Sequence, residues 1–164
     1  MRKYFVGLDV HVKHTTICIL DGRGRKVKQV RLRGRVSKVV EELRKLRGKV
    51  FVCFEASCGY GYLYELFMTV AARVVVAHPG QLRLIFRSKR KNDRVDAEKL
   101  AKLLFLEEVP PVHVPSREVR AWRQLIEYRT RLVNKRARAK NSCRALLRSL
   151  GIQTPGDFGL WSRR

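Results

Sequence analysis

The stretch VFVCFEASCGYGYLYELFMTVAARVVVA, residues 50–77, decides the fold class. Its ends, VFVCF (50–54) and RVVVA (73–77), are short continuous apolar runs of the kind that mark strands covered on both faces. Between them the pattern predicts a helix over about 60–71. Strand, helix, strand with short connections implies a parallel pair joined by a right-handed crossover.

Upstream the reading changes. KYFVGLDV (3–10) and HTTICIL (14–20) predict two strands, and KVKQVRLR (26–33) alternates polar and apolar as a third. Asp21-Gly22-Arg23-Gly24 is a hairpin turn signal. The three strands form an antiparallel meander. Ser37 is read as the N-cap of a helix over 38–47, with Val39, Val40, Leu43 and Leu46 at helical spacing. The expected fold class is therefore α/β: a mixed sheet with an antiparallel meander first and parallel strands after it, which is the strand order of the ribonuclease-H-like fold.

Beyond residue 77, His78-Pro79-Gly80 breaks the chain, and 81–91 reads as a basic, irregular or short helical stretch. A helix is expected from Asp93 to about 106. Pro110, Pro111 and Pro115 mark a rigid linker, and a long helix runs from an N-cap at Ser116 to Leu150, stopped by Gly151. Its apolar pairs recur every seven residues, at Leu125/Ile126, Leu132/Val133, Ala139/Lys140 and Leu146/Leu147, which makes a coiled-coil-like stripe suited to a dimer seam. The organisation expected is a catalytic domain over 1–109, a proline-rich linker over 110–115, a basic helical arm over 116–150, and the start of a further region over 151–164.

The 164 residues hold 37 Lys+Arg against 14 Asp+Glu, a formal charge of +23, with an ordinary 45% apolar content. A balance of this kind points to nucleic acid as partner rather than to disorder. The last fifty residues are the densest, with 13 basic and 3 acidic side chains. No apolar run approaches the roughly 20 residues needed to span a bilayer, and no signal-peptide pattern opens the chain, so a cytoplasmic protein with no membrane partner is expected. Cys18, Cys53, Cys58 and Cys143 form no C-x-x-C and no zinc spacing; Cys18 and Cys53 read as small buried hydrophobes.

Against this basic background four acids stand out. Asp9 lies in the first strand, Glu55 closes a buried strand at its carboxyl end, and Asp93 and Asp96 open a helix as i and i+3. Singly, each has an ordinary reading as edge residue, strand end or helix cap. Together they suggest a hard-cation site, because clustered carboxylates without a cation would repel one another and be driven towards protonation. Mg²⁺ or Mn²⁺ suits carboxylate oxygen, and two such ions roughly 3.5–4 Å apart support phosphoryl transfer. Arg87, Lys89, Arg90, Lys91 and Arg94 beside the acid pair, and Arg129, Lys135, Arg136, Arg138 and Lys140 on the long helix, are candidate phosphate contacts. Gly59 and Tyr60, between strand and helix, are candidates for presenting backbone N–H groups to a phosphate. Trp122 is read as a packing residue near the stripe, and His11 and His14 as surface residues.

The motifs GLDVHVK (7–13), FEASCGY (54–60) and KNDRVDAEKLA (91–101) resemble, in order and spacing, the amino-terminal domain of the DEDD transposases of insertion sequences, relatives of the Piv-type invertases and of bridge-RNA-guided recombinases. The resemblance covers about residues 4–150. It implies a RuvC-like domain whose four catalytic, metal-binding acids match Asp9, Glu55, Asp93 and Asp96, followed by a coiled-coil segment. It also implies DNA as substrate, a guide RNA as a further partner, and a homodimer or higher oligomer built through the arm. Cys58 stands where the family carries glycine, and nothing matches the family's carboxy-terminal domain with its catalytic serine, Ser162 being no substitute; a truncated member is expected. The other readings are a nucleic-acid-binding remnant without catalysis, a junction-resolving nuclease, and an actin-like or sugar-kinase-like ATPase. The last is suggested by Gly7-Leu8-Asp9 with Thr15 and Thr16, but the second phosphate loop it needs does not appear in the sequence.

Overall fold

The computed structural model describes residues 1–86 and 93–153, the side chains of Asp93 and Arg94 excepted. The chain divides into two compact units, the first Met1–Pro115 and the second beginning at Ser116.

In the first unit β1 (Lys3–Val10), β2 (His14–Asp21), β3 (Lys26–Arg33), β4 (Lys49–Glu55) and β5 (Arg73–Ala77) make one sheet in the order β3-β2-β1-β4-β5. The β1–β2 and β2–β3 pairs are antiparallel, while β1–β4 and β4–β5 are parallel. This is the mixed, ribonuclease-H-like sheet expected from the sequence. Helices α1 (Ser37–Arg44) and α2 (Tyr60–Met68) lie on one face, where Val39, Leu43, Leu63 and Phe67 pack on Val6, Leu8, Ile17, Ile19, Val52 and Phe54. Helices α3 (Pro79–Ile85) and α4 (Asp93–Phe105) cover the other, with Leu82, Leu100, Leu103 and Leu104 against Cys53 and Val75, and Ala97 and Ala101 against Cys18 and Leu20.

The alternation of β-strand side chains sorts these contacts. Even positions of β1 feed the α1/α2 side and odd positions the α4 side. Phe5 stacks on Phe51 at 5.2 Å and meets Phe105 edge-on at 5.3 Å. Gly7, next on the same side, admits the backbone of α4: a Cβ there would stand 2.0 Å from the Ala97 carbonyl oxygen and 2.5 Å from the Ala101 nitrogen. Phe105, at the far end of α4, sits against Phe5 and Gly24. The helix thus runs antiparallel to β1, and its amino terminus overhangs the carboxyl ends of β1 and β4.

Several local readings are corrected. Val36, not Ser37, is the N-cap of α1, and it makes no side-chain capping bond. His78-Pro79-Gly80 ends β5 but also starts α3: the His78 ring accepts from the Gly80 and Gln81 N–H groups at 3.1 and 3.3 Å, with Pro79 in the first turn. The proline-rich segment runs beside β5, through a Val112 N–H to Val76 carbonyl bond of 2.7 Å and a His78 N–H to Pro110 carbonyl bond of 2.9 Å. Val112 and Val114 are packed against the core. Cys18 and Cys53 are buried as expected, and burial pushes their thiols up to about 11 and about 12. A buried glutamate on α1, Glu42, accepts from Lys28 of β3 and from Lys45.

In the second unit α5 spans Arg117–Ser149, thirty-three residues or about 50 Å at 1.5 Å per residue. The Ser116 hydroxyl accepts from the Val119 N–H at 3.3 Å, so this predicted cap is present. No residue of α5 is buried. Trp122, read as packed, is 59% exposed. Among the described residues no helix is long and apolar enough to cross a membrane.

Two outcomes follow from this packing. Gly7→Ala must push α4 off the sheet and is expected to lower the unfolding free energy by about 2 kcal/mol or more, read from the urea midpoint. The Lys28 and Lys45 ammonium groups, in that order, hold Glu42 below its ordinary value. Its contribution is therefore present above the unfolded glutamate value of about 4.3 and lost as pH falls through the lower folded value. Glu42→Gln should cost about 1 kcal/mol at pH 7, with wild type and variant converging below about pH 4.

Candidate metal and nucleic-acid site

The β1–β4 ladder ends at Leu8 opposite Phe54. The next rung brings Asp9 level with Glu55, and both share the α4 side of the sheet with Gly7 and Cys53. Asp9 is 22% exposed, sunk at the sheet edge, whereas Glu55 reaches solvent. Asp93 is the first residue of α4, and Asp96 precedes Ala97, whose carbonyl lies over Gly7. The backbone thus brings the elements carrying all four acids to one edge of the sheet. Asp96 is half-exposed, with the Lys99 ammonium at 3.8 Å; Lys99 also lies over the Phe86 ring at 4.8 Å. Among the described residues no three His, Cys, Asp or Glu side chains are close enough to hold a metal ion together. The Asp93 side chain lies outside that description.

The surroundings of Asp9 include groups that the sequence reading had consigned to the surface. The His11 Nε2–H donates to Asp9 Oδ2 at 3.0 Å, and the His11 ring packs on His14 at 4.6 Å between centroids. Arg31 approaches His14 Nε2 at 2.7 Å. Arginine only donates, so His14 Nε2 accepts and a neutral ring carries its proton on Nδ1. The D-x-H spacing at 9–11 was the available signal; the Arg31 partner of His14, on the next strand, gave none.

One buried group bears on whether a cation fits. Thr16 stands directly opposite Asp9 in the β1–β2 ladder, on the same side of the sheet. It is fully buried, and its Oγ1 has no hydrogen-bond partner among the described residues. The donors that these elements carry, a hydroxyl and carboxylates, are all oxygens, a chemistry that suits Mg²⁺ or Mn²⁺ better than a soft metal.

The remaining candidates divide. Arg87, Lys89, Arg90 and Lys91 lie outside the described residues, as does the Arg94 side chain. Arg129, Lys135, Arg136 and Arg138 are exposed on α5, and Lys140 is half-buried. Gly59, at φ 80°, is the left-handed N-cap of α2 and makes no side-chain capping bond. The Tyr60 N–H donates to the Ser57 carbonyl at 3.1 Å.

Comparison with known proteins bears directly on these motifs. Residues 6–152 match the profile of the IS110-type DEDD transposases, described as "Transposase". The chain belongs to that family. It is 29% identical over 171 aligned positions to "Putative transposase y4qE" of Sinorhizobium fredii (strain NBRC 101917 / NGR234), an alignment covering 99% of this chain and 43% of the relative. It is 26% identical over 107 positions to "Transposase for insertion sequence element IS1533" of Leptospira borgpetersenii, covering 63% and 31%. The chain spans less than half the length of these curated relatives.

Proposed function

We propose that this chain is the metal-binding, nucleic-acid-binding part of a DNA transposase, and that Asp9, Glu55, Asp93 and Asp96 hold Mg²⁺ or Mn²⁺ at the carboxyl edge of the sheet. The observation that carries the reading is the antiparallel course of α4 over β1, which brings its first turn above the adjacent strand ends bearing Asp9 and Glu55. The family match supports DNA as the substrate class. When bound, the cations would polarise a phosphodiester and lower the pKa of an attacking water or hydroxyl. The chain's own part is to fix the carboxylates on a rigid sheet and helix, and to hold the phosphate backbone with its cations. Eleven basic side chains against two acidic along α5 suit that second task, and its exposed Leu125, Ile126, Leu132 and Val133 suit pairing with a second copy. A guide RNA would meet the same basic surface. In this reading the domain supplies the metal-binding part of a recombination site.

A second reading, nucleic-acid binding without cleavage, rests on the basic, exposed α5, which needs no metal to hold a phosphate backbone. One experiment separates the two. Mn²⁺ titration of the wild type against Asp93→Asn should show affinity reduced at least tenfold in the variant. DNA binding should persist in both proteins and weaken steeply with salt. Superimposable metal curves would leave only the second reading, and absent DNA binding at low salt would remove both.

A further inference from the structure

Thr16 is the least explained polar group in the first unit. Its hydroxyl is buried with no hydrogen-bond partner among the described residues, a condition that proteins usually avoid because the group loses water and gains nothing. Valine would fill the same space without that loss. The position is also specific. Thr16 faces α4, one rung from Cys18, which packs on Ala97 and Ala101. Across β1 it meets Asp9, and across β3 it meets Arg31. Directly opposed residues of an antiparallel pair have Cβ atoms about 4.5–5.5 Å apart, so a small rotation of either side chain brings hydroxyl and carboxylate within hydrogen-bond reach.

Building on the proposed cation site, we infer that Thr16 is a positioning residue for Asp9: its hydroxyl donates to the Asp9 carboxylate and orients it when that carboxylate takes up a divalent cation. Groups behind a ligand commonly set its direction and basicity in this way. His11 already donates to Oδ2 from the solvent side. Thr16 is the donor available from within the sheet, where water does not compete. The hydroxyl, unpartnered among the described residues, thereby gains a role in the loaded site.

The test uses the 164-residue chain and Mn²⁺ as the probe, with wild type, Thr16→Val, Thr16→Ser and Asp9→Asn compared for metal affinity by calorimetry and for thermal midpoint without metal. Thr16→Val should keep or raise the midpoint and weaken Mn²⁺ binding about tenfold or more. Thr16→Ser should lower the midpoint, having lost a buried methyl, yet retain affinity. This crossing of stability and affinity is not produced by a purely structural role. Asp9→Asn losing affinity while Thr16→Val binds as wild type would overturn the inference and leave the cation site standing. No Mn²⁺ binding by the wild type, or no effect of Asp9→Asn, would overturn both.

Discussion

The contact on which the rest depends is the backbone of α4 lying directly against Gly7 of β1. No side chain larger than hydrogen fits there, since a Cβ would sit 2.0 Å from the Ala97 carbonyl oxygen. Small residues on both sides of the contact, Gly7 below and Ala97 and Ala101 above, let the helix settle closer than an ordinary helix-on-sheet layer. Phe105 against Phe5 and the Lys26–Glu98 ion pair at 2.7 Å fix its direction and roll. Once these are set, the amino terminus of α4 has one place to be, above the ends of β1 and β4. The acids at 9, 55, 93 and 96, spread over more than half the chain, become neighbours in topology because one glycine permits one close approach.

Electrostatics then gives the edge its character. In a chain of charge +23 an acid finds lysine and arginine readily, and several do: Asp21 with Arg25, Glu98 with Lys26 and Lys102, and Glu42 with Lys28 and Lys45. Of these, Lys26–Glu98 joins β3 to α4 and Lys28–Glu42 joins β3 to α1. Asp9 has a histidine among its partners and faces a buried hydroxyl across the ladder. A helix amino terminus adds partial positive charge at the same edge, which eases the approach of carboxylates before any cation arrives.

The sheet was legible because strand patterning is local. Alternation in 26–33 marks a half-exposed strand and the continuous apolar runs at 50–54 and 73–77 mark strands covered on both faces, and that distinction carries the antiparallel-then-parallel order. The four acids stand out by motif spacing, and the structure brings the elements that carry them to one edge of the sheet. What escaped notice depends on contacts distant in sequence. The value of Gly7 is invisible until the helix above it is known, and Thr16 reads as an ordinary β-branched strand residue until its hydroxyl is found without a partner. His78-Pro79-Gly80 looked like a simple break because the histidine ring acting as a cap is less familiar than serine or aspartate. The prolines at 110 and 111 suggested a linker, but a bridge between Ala77 and Pro111 and the Val112 bond depend on β5 offering an open edge.

The carboxyl edge of β1 and β4, under the first turn of α4, is the divalent-cation site proposed for this chain. The most direct measurement is the anomalous scattering of Mn²⁺ in crystals of this chain. Density between the carboxylates of Asp9, Glu55, Asp93 and Asp96 is the predicted result. A crystal at saturating Mn²⁺ with no anomalous peak within coordination distance of Asp9 would contradict it.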